Sequence, residues 1–372
     1  MKKRRMTFAA VIAAITAALT LAGTTALQPR ADAGDTKEKL EVHFIDVGQG
    51  DATLITCGGE AMLIDTGDDS KGTLLQNYLQ KQGIKRLDYL VLTHPDSDHI
   101  GGAPVILTKF QVDTVFVSDY EKDNKTYRKL IQAMDDKGLD GITPQVGSSY
   151  TLGGASFTIL APNQTYEDPN NASIALLLQN GSNRFLFTGD AEEKAEQDIL
   201  ENGIPVRADV YQAGHHGSRT SSSEAFLDAV QPAYAVVSCE EGNSYGHPHA
   251  QTLNALRSRG IKLFRTDEQG SIIAISDGSQ ITWNCAPTET WQAGEPTGSA
   301  ASSTGSTAAA DQKSTQNSSA QGNEISYVLN TKSRKFHLPS CDSLPTENRQ
   351  DVAITRDEVI EQGYTPCKRC NP

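Results

Sequence analysis

One short segment, THPDSDHIGG, concentrates side chains that bind metal ions. His94, Asp96, Asp98 and His99 fall within six positions, directly after an apolar run that ends at Leu92. Where a chain leaves a strand and begins a helix, alternate side chains can converge on one cation. A mixture of carboxylate and imidazole groups suits Zn, Mn or Fe. The segment therefore predicts a divalent-metal site at the end of a strand.

Three further strand ends carry the same residue types. Asp190 follows an apolar run in a Thr-Gly-Asp turn, His215 and His216 follow another run, and His247 precedes a proline after a third. Each has an ordinary alternative: the aspartate as a helix N-cap, the histidine pair as one buried and one solvated residue, and His-Pro as a turn. Five of the eight histidines lie at such strand ends, however, and strand ends are where α/β folds build their sites. We therefore interpret the four segments as one site.

The elements that must position these residues can be read from short apolar runs that alternate with amphipathic segments. Runs rich in Val, Ile and Leu predict strands at 42–47, 52–57, 62–65, 89–93, 173–179, 184–188, 209–213 and 233–238. Helices are predicted at 73–81, 127–137, 191–201, 222–230 and 250–259, and a closing hairpin at 272–283. Strands dominate each half, with helices between them, so we expect an α/β sandwich of two sheets.

The segments that carry these residues resemble, block by block, the metallo-β-lactamase superfamily of hydrolases. The blocks are FIDVGQGDA (44–52), LIDTG (63–67), THPDSDHIGG (93–102), FTGD (187–190), AGHHGSRTSSS (213–223) and NSYGHP (243–248). Within the superfamily they are most similar to the soluble domain of competence-type DNA-uptake channel proteins, the ComEC/Rec2 family. The resemblance covers about residues 40–286 and implies an αββα metallo-β-lactamase sandwich with a metal site at one sheet edge.

The resemblance also implies a set of metal ligands. His94 and Asp96 would hold one ion, Asp98, His99 and one of His215 or His216 a second, and Asp190 would bridge them. Two features depart from the superfamily. Its usual H-x-H-x-D-H motif reads H-x-D-x-D-H here, and no histidine lies between positions 99 and 215, a region that holds Asn171 and Ser173. The first metal position therefore has harder ligands than usual and lacks one of them. This favours Mn²⁺ or a weakly held second ion. We expect one or two divalent ions, Zn or Mn.

A divalent ion at this site predicts hydrolysis by an activated water. The ion lowers the pKa of a bound water towards neutrality and takes up charge that develops on a phosphoryl or carbonyl oxygen. Asp98 or Asp190 would orient that water. His247, the histidine left over from the ligand set, would protonate the leaving oxygen or clamp a phosphate.

A run of polar side chains follows the histidine pair. Ser218, Arg219, Thr220 and Ser221 precede a helix start, where hydroxyls, a guanidinium and free N–H groups can receive a phosphate. The same run is equally compatible with plain N-capping, because Ser221 and Glu224 have the spacing of a capping box. The sequence leaves both interpretations open.

The N-terminus has the pattern of a secretory signal peptide. Four basic residues at positions 2–5 precede an uncharged, mostly apolar run from 7 to 23, and Ala31-Asp32-Ala33 supplies a small-x-small cleavage site. We predict residues 1–33 as the signal peptide, with cleavage after Ala33 and secretion of the mature protein. An uncleaved membrane tether is the alternative. No second apolar stretch of spanning length follows, so no stable membrane span is expected after cleavage.

A low-complexity segment divides the rest of the chain into two domains. Residues 34–288 are assigned to the hydrolase domain and residues 324–372 to a small C-terminal domain. Between them, residues 289–323 consist mostly of Ser, Thr, Gly, Ala and Gln, with almost no large apolar side chain. Such a segment cannot bury a core, so it is predicted to be a flexible linker.

The C-terminal domain carries a zinc-site pattern. His337, Cys341, Cys367 and Cys370 have the H-x3-C and C-x2-C spacing of a structural zinc site, and a disulfide between two of the cysteines is the alternative. Residues 328–372 resemble the small zinc-binding domain of Ada-type DNA alkyl-repair proteins. Because His337 stands where that family has its first cysteine, methyl acceptance there is not expected. We expect instead that this domain has a role in folding and binds nucleic acid weakly through nearby lysines and arginines.

Composition limits what the two domains can bind. The 372 residues include 33 Lys+Arg and 46 Asp+Glu, a net charge of −13, and the excess acid lies in residues 34–288. This balance excludes a broadly basic nucleic-acid binder. Binding of DNA should therefore depend on divalent cations.

Together these features predict a secreted metal-dependent hydrolase, a phosphodiesterase or nuclease that acts on extracellular DNA. One alternative is a phosphodiesterase of cell-wall or lipid head groups such as phosphorylcholine, and another is a non-enzymatic DNA- or wall-binding protein. β-Lactam hydrolysis is disfavoured, because Asp96 and the missing histidine depart from that branch. DNA or another phosphodiester is the expected partner, and no obligate protein partner is inferred.

Overall fold

The computed structural model describes residues 38–294 and, nearer the C-terminus, residues 325–337, 341, 344–345, 348–354, 359 and 364–367. The predicted signal peptide, residues 295–323 of the predicted linker, and Cys370 lie outside the described residues. Among the helices that are described, none is long and apolar enough to cross a bilayer.

Strands and helices alternate along residues 40–283. The strands are β1 (Leu40–Phe44), β2 (Thr53–Cys57), β3 (Glu60–Ile64), β4 (Arg86–Leu92), β5 (Gln111–Val117), β6 (Gly141–Ile142), β7 (Ser149–Leu152), β8 (Ala155–Ala161), β9 (Ala175–Asn180), β10 (Asn183–Phe187), β11 (Val210–Gln212), β12 (Tyr234–Val237), β13 (Lys262–Arg265), β14 (Ile272–Ser276) and β15 (Ile281–Trp283). The helices are α1 (Gly72–Lys81), α2 (Ser97–Ile100), α3 (Ala103–Lys109), α4 (Lys125–Lys137), α5 (Glu193–Glu201), α6 (Glu224–Val230), α7 (Ala250–Ser258) and α8 (Thr266–Gln269).

These strands form two mixed sheets. The first has the order β15-β14-β1-β2-β3-β4-β5-β6 and the second β13-β12-β11-β10-β9-β8-β7. β3, β4 and β5 pair in parallel in the first sheet, and β10 to β13 do so in the second. The carboxyl ends of parallel strands meet at one sheet edge, and loops that follow them are the usual place for a site.

Apolar side chains fill the space between the two sheets. They include Val42, Phe44, Ile55, Phe116, Phe157, Leu176, Phe185 and Phe264, all essentially buried. A second apolar cluster packs α1, α3 and α4 on the first sheet, and a third packs α5, α6 and α7 on the second. The layers therefore run helix, sheet, sheet, helix, which confirms the predicted αββα sandwich.

Helix α4 has well-defined ends. Asn124 Oδ1 accepts a hydrogen bond from Tyr127 N at 2.8 Å and so satisfies one free N–H group of the first turn. Gly138 ends the helix with a φ of 64°, a left-handed conformation that glycine adopts without strain. Leu130 and Met134, four positions apart, are its buried face and pack against the first sheet.

The described C-terminal residues form a four-stranded sheet of their own. Its strands are β16 (Ile325–Asn330), β17 (Lys335–His337), β18 (Arg349–Ile354) and β19 (Thr365–Pro366), in the order β18-β16-β17-β19. Tyr327, Leu329, Phe336, Val359 and Tyr364 are its buried apolar cluster.

Candidate metal centre

Loops at the carboxyl ends of the parallel strands bring acidic and histidine side chains together. Four of these side chains are buried and offer ligand atoms that all lie within 4.8 Å of one another: Asp51, His99, Asp190 and His216. We call these four residues the central cluster. Asp51 precedes β2, His99 lies in α2 after β4, and Asp190 and His216 follow β10 and β11. Both sheets thus contribute to one site.

Gly50 permits the close approach of two of these loops. Its φ is 126°, and a Cβ added to it would lie 2.3 Å from the Asp98 carbonyl oxygen. The next residue, Asp51, donates its N–H to that same carbonyl at 3.2 Å. A side chain at position 50 would therefore separate the loop of Asp51 from α2.

Asp65 orients the His99 ring. Asp65 Oδ1 accepts the Thr93 N–H at 2.8 Å, and Oδ2 accepts the Thr93 hydroxyl at 2.7 Å and His99 Nδ1 at 2.8 Å. Asp65 is fully buried at a φ of 56°, which aspartate tolerates better than most residues. A carboxylate behind a ligating histidine is the usual support in metal sites.

The rings of His99 and His216 face each other with nitrogen atoms that lack a proton in their neutral form. His216 Nδ1 donates to the Ser238 carbonyl at 3.0 Å, and His99 Nδ1 donates to its carboxylate partner. Because each neutral ring then carries its proton on Nδ1, the Nε2 atoms keep lone pairs, and they lie 3.3 Å apart. Asp190 Oδ1, 3.2 Å from His99 Nε2, has no hydrogen-bond partner among the described residues. These converging buried groups fit a divalent cation.

Electrostatics at the central cluster favour positive charge. Burial opposes a charged imidazole, but the Asp190 and Asp65 carboxylates outweigh it and hold the pKa of His99 well above its usual value. Burial is outweighed in the same way at His216, whose pKa is raised chiefly by Asp190. At Asp190 burial would raise the pKa, but His99 and His216 hold it well below the usual range. A nearby positive charge therefore stabilises the buried carboxylates, and a bound metal ion would supply it.

His94 lies beside the central cluster. Its ring centroid is 4.1 Å from that of His99, and its Nε2 atom is 3.9 Å from Asp190 Oδ2. That Nε2 atom is buried and has no hydrogen-bond partner in the described part of the chain, while Nδ1 lies 3.3 Å from Ser173 Oγ. Burial, then the neighbouring His99, hold the pKa of His94 well below its usual value. A neutral ring with an unpartnered nitrogen is the form that ligates a metal.

The two aspartates of the H-x-D-x-D-H motif have different surroundings. Asp98 Oδ2 lies 3.4 Å from His216 Nε2, and its side chain is 28 % exposed. Burial would raise the pKa of Asp98, but the contact with His216 outweighs it and lowers the pKa. Asp96 instead accepts a hydrogen bond from Lys122 Nζ at 2.6 Å. The structure thus places Asp98 at the rim of the central cluster, whereas the Asp96 carboxylate pairs with Lys122.

Both residues of the histidine pair approach Asp190. Their φ values are 51° and 55°, a left-handed turn that aims both rings inwards. His216 Nε2 lies 3.5 Å from Asp190 Oδ2, and His215 Nε2 lies 3.7 Å from it. His215 Nδ1 faces Glu192 at 3.3 Å, and its side chain is 22 % exposed. His216 therefore belongs to the central cluster, and His215 lies between the cluster and solvent.

His247 lies on the far side of the histidine pair. Its ring centroid is 5.4 Å from that of His215, and its Nδ1 atom is buried with no hydrogen-bond partner among the described residues. Asn243 holds this turn, since its Oδ1 accepts the His247 N–H at 3.0 Å and its Nδ2 donates to the His247 carbonyl at 2.7 Å. Burial and the neighbouring His216 and His215 lower the pKa of His247 to about 2. The ring is therefore neutral here.

The predicted phosphate-binding run makes mostly local hydrogen bonds. Ser218 Oγ accepts the Thr220 N–H at 3.3 Å, Ser221 Oγ donates to the Ala191 carbonyl at 2.8 Å, and Arg219 is exposed. Thr220 Oγ1 lies 3.2 Å from His215 Nδ1, so the run borders the site. The prediction that Ser221 caps the following helix, α6, was wrong. Ser223 caps α6 instead, because Ser222 at a φ of 59° continues the turn before the helix begins.

Glu196 is a buried carboxyl beneath this run. Its oxygens accept the N–H groups of Ser222, at 2.5 Å, and of Ser223, at 2.9 Å. Burial outweighs these hydrogen bonds and raises the pKa of Glu196 to about 7. The folded protein therefore keeps a proton on Glu196 at pH values where an unfolded chain has lost it.

We expect the unfolding free energy of the native protein to fall, relative to Glu196→Gln, as the pH rises from 4.5 to about 7. In this window unfolding releases the Glu196 proton, so a higher pH favours the unfolded state. The expected change in the difference is about 3 kcal/mol. Denaturant titrations across the window measure it, with Glu201→Gln on the exposed side of α5 as the control. A difference that stays constant with pH would contradict the assignment.

The described C-terminal residues hold a second group of ligand atoms. His337, Cys341 and Cys367 are buried and offer atoms within 4.8 Å of one another. His337 Nδ1 lies 3.4 Å from Cys341 Sγ. Three residues of the predicted Cys₃His set therefore lie together, and Cys370 is outside the described residues.

Comparison with known proteins agrees with the fold and the site. The sequence pattern of the Metallo-beta-lactamase superfamily matches residues 45–240, which include the whole central cluster. The chain is 33% identical over 257 residues to ComE operon protein 3 of Bacillus subtilis and 35% identical over 242 residues to Recombination protein 2 of Haemophilus influenzae. It is 33% identical over 259 residues to Competence protein ComA of Neisseria gonorrhoeae.

These matches cover 62%, 63% and 69% of this chain, and 32%, 29% and 35% of the three relatives in the same order. The chain thus spans about a third of the length of the relatives that it matches.

Proposed function

Because the chain belongs to the metallo-β-lactamase superfamily, whose pattern covers more than half of it, we propose that it is an exported, metal-dependent phosphodiesterase that cleaves DNA. The observation that carries the metal dependence is the pair of His99 and His216 Nε2 atoms, 3.3 Å apart and surrounded by buried carboxylates. DNA is favoured as substrate because the similar relatives include a recombination protein and a competence protein. The predicted signal peptide supports export, and His337, Cys341 and Cys367 support a structural zinc ion in the C-terminal domain.

The residues of the central cluster would hold the catalytic ion, with His94 and Asp98 at its border. A bound divalent ion supplies a Lewis acid that neutralises charge developing on the phosphoryl group. We assign Asp98 to orient the attacking water, because its side chain is 28 % exposed while those of Asp51 and Asp190 are 6% and 4% exposed. His215, which is also partly exposed, is placed to hydrogen-bond a phosphoryl oxygen.

Cleavage assays with the full chain test the proposal. The protein is stripped with a chelator, reloaded with Mn²⁺ or Zn²⁺, and incubated with single-stranded DNA, duplex DNA, RNA and a phosphorylcholine ester. We expect DNA cleavage that needs the metal and that Asp98→Asn reduces at least about 100-fold. The control is Asp113→Asn, since Asp113 lies on β5 and its side chain is 39 % exposed. No DNA cleavage with either metal, or far faster turnover of the phosphorylcholine ester, would exclude the proposal.

A further inference from the structure

A cavity of about 200 Å³ opens beside the central cluster. His94 forms part of its wall, and helix α4 contributes the buried side chains of Leu130 and Met134. Tyr120 and Tyr127, both half-buried, border it as well. We call this space the His94 cavity. Its position at the carboxyl ends of β4 and β5 is the usual place for a ligand in such a fold.

The lining of the His94 cavity is apolar and uncharged in character. None of its lining residues, all of them described, is Lys, Arg, Asp or Glu. A phosphate or carboxylate would find no cation there, and a protonated amine would find no carboxylate. The Ser118 hydroxyl already donates to the Ala172 carbonyl at 2.7 Å, and the Tyr120 hydroxyl donates to the Glu167 carbonyl at 3.1 Å. The cavity therefore suits a neutral, largely apolar group.

The size of the cavity and the side chains at its mouth further restrict the ligands that it could hold. Pockets for drug-sized ligands measure about 300–1,000 Å³, so this one has room for a single ring system. Ile131 borders the cavity and is 38% exposed, and Ile142, next to the lining residue Gly141, is 48% exposed. In the described part of the chain these are two of four large hydrophobic side chains exposed to this degree. Tyrosine rings and exposed apolar side chains are surfaces on which a planar heterocycle stacks.

The cavity and the central cluster share one residue. His94 lines the cavity, while its Nε2 atom lies 3.9 Å from Asp190 Oδ2. The cavity and the cluster are therefore neighbouring sites that share a wall. In DNA, the neutral planar group next to a phosphodiester is a base.

We infer that the His94 cavity binds one base of the substrate, that of the nucleotide next to the phosphodiester that is cut. This inference rests on the proposed function. To enter the cavity the base must leave its stack, so single strands and unpaired ends are better substrates than duplex DNA.

Three dinucleotide substrates test the inference with the metal-loaded full chain. One is thymidylyl-thymidine, and the other two are analogues in which either the first or the second base is replaced by hydrogen. We expect a KM about ten-fold higher for one of the two abasic analogues than for the intact dinucleotide. Ile131→Trp, which fills the mouth of the cavity, should bring this ratio towards one. Leu74→Trp, on an equally exposed position of α1 away from the cavity, should keep the native ratio.

A binding measurement separates this inference from the proposed function. Methyl NMR of the zinc-loaded protein is recorded with thymidine monophosphate, and the Ile131 and Met134 methyl signals should shift. Equal KM values for all three dinucleotides would overturn the inference and leave the DNA-cleaving function standing. If neither DNA nor any dinucleotide is cleaved, the proposed function fails; methyl shifts with the nucleotide would then support only base binding in the cavity, and their absence would overturn the inference. Shifts caused by an alkyl phosphate or phosphorylcholine and not by the nucleotide would also overturn it.

Discussion

Replacing Asp190 with asparagine should remove metal binding and hydrolysis together. Asp190 is the one carboxylate within 4 Å of four described imidazoles, those of His94, His99, His215 and His216. Loss of its charge leaves these rings without the anion that holds a cation among them. We expect cleavage of DNA to fall more than about 100-fold, because even partners behind the ligands of metal sites are worth 10–100-fold. Metal analysis after dialysis should show fewer ions per chain than in the native protein.

The control for this experiment is Asp209→Asn. Asp209 directly precedes β11 of the second sheet, at the opposite end of that strand from the site, and accepts a backbone hydrogen bond from Arg184 N at 2.8 Å. It should retain full metal content and activity. If Asp190→Asn keeps both as well, the central cluster is not the catalytic metal site.

Much of the fold could be predicted because the interior strands are buried on both faces. Such strands are continuous apolar runs, and where a run predicted a strand, its bounds lie within three residues of the observed ones. Five strands of the two sheets were not predicted: β5, β6, β7, β8 and β13. Two of them, β5 and β7, have a different character. β7, at the edge of the second sheet, has only its last residue buried, and β5 alternates between exposed and buried positions at its start. Pairing with a neighbouring strand, rather than local hydrophobicity, defines them.

The part of the site that follows directly after strands could be predicted from the sequence. Asp190, His99 and His216 were among the residues predicted to meet, and the structure brings them together. Asp51 and Asp65 received no role, although both lie in segments that carry the superfamily resemblance. Asp65 directly follows the buried end of β3, the same signal that selected Asp190. Asp51 carries no such signal, because it lies in the loop before β2 and does not directly follow a strand.

Asp96 shows what spacing alone cannot determine. Its place in H-x-D-x-D-H made it a predicted ligand, but its carboxylate bonds Lys122, which lies in a loop after the next strand. Lys122 is far from Asp96 in sequence, so no local pattern predicts their contact. The partner of this carboxylate is therefore a tertiary contact.

Replacing Asp65 with asparagine should weaken metal binding because it changes the tautomer of His99. Asparagine also tolerates a φ of 56°, so the backbone need not move. If the amide oxygen keeps the Thr93 N–H bond, the amide nitrogen faces His99 Nδ1, and two donors meet. His99 then carries its proton on Nε2, the atom that faces His216. We expect metal affinity to fall 10–100-fold and the unfolding free energy to fall by about 1–3 kcal/mol.

Competition with a chelator measures the metal affinity, and nitrogen NMR of the histidine rings reports the tautomer. The matched control is Asp88→Asn, because Asp88 also accepts a backbone hydrogen bond at a strand, from Ala61 N at 2.9 Å, but contacts no histidine in the described structure. Asp88→Asn should lose stability and keep its metal. If Asp65→Asn loses stability to the same extent and keeps its metal affinity and tautomer, then Asp65 supports the loop after β4 and does not orient a ligand. Only a combined change in affinity and tautomer assigns Asp65 the orienting role, since loss of a backbone hydrogen bond alone would move neither.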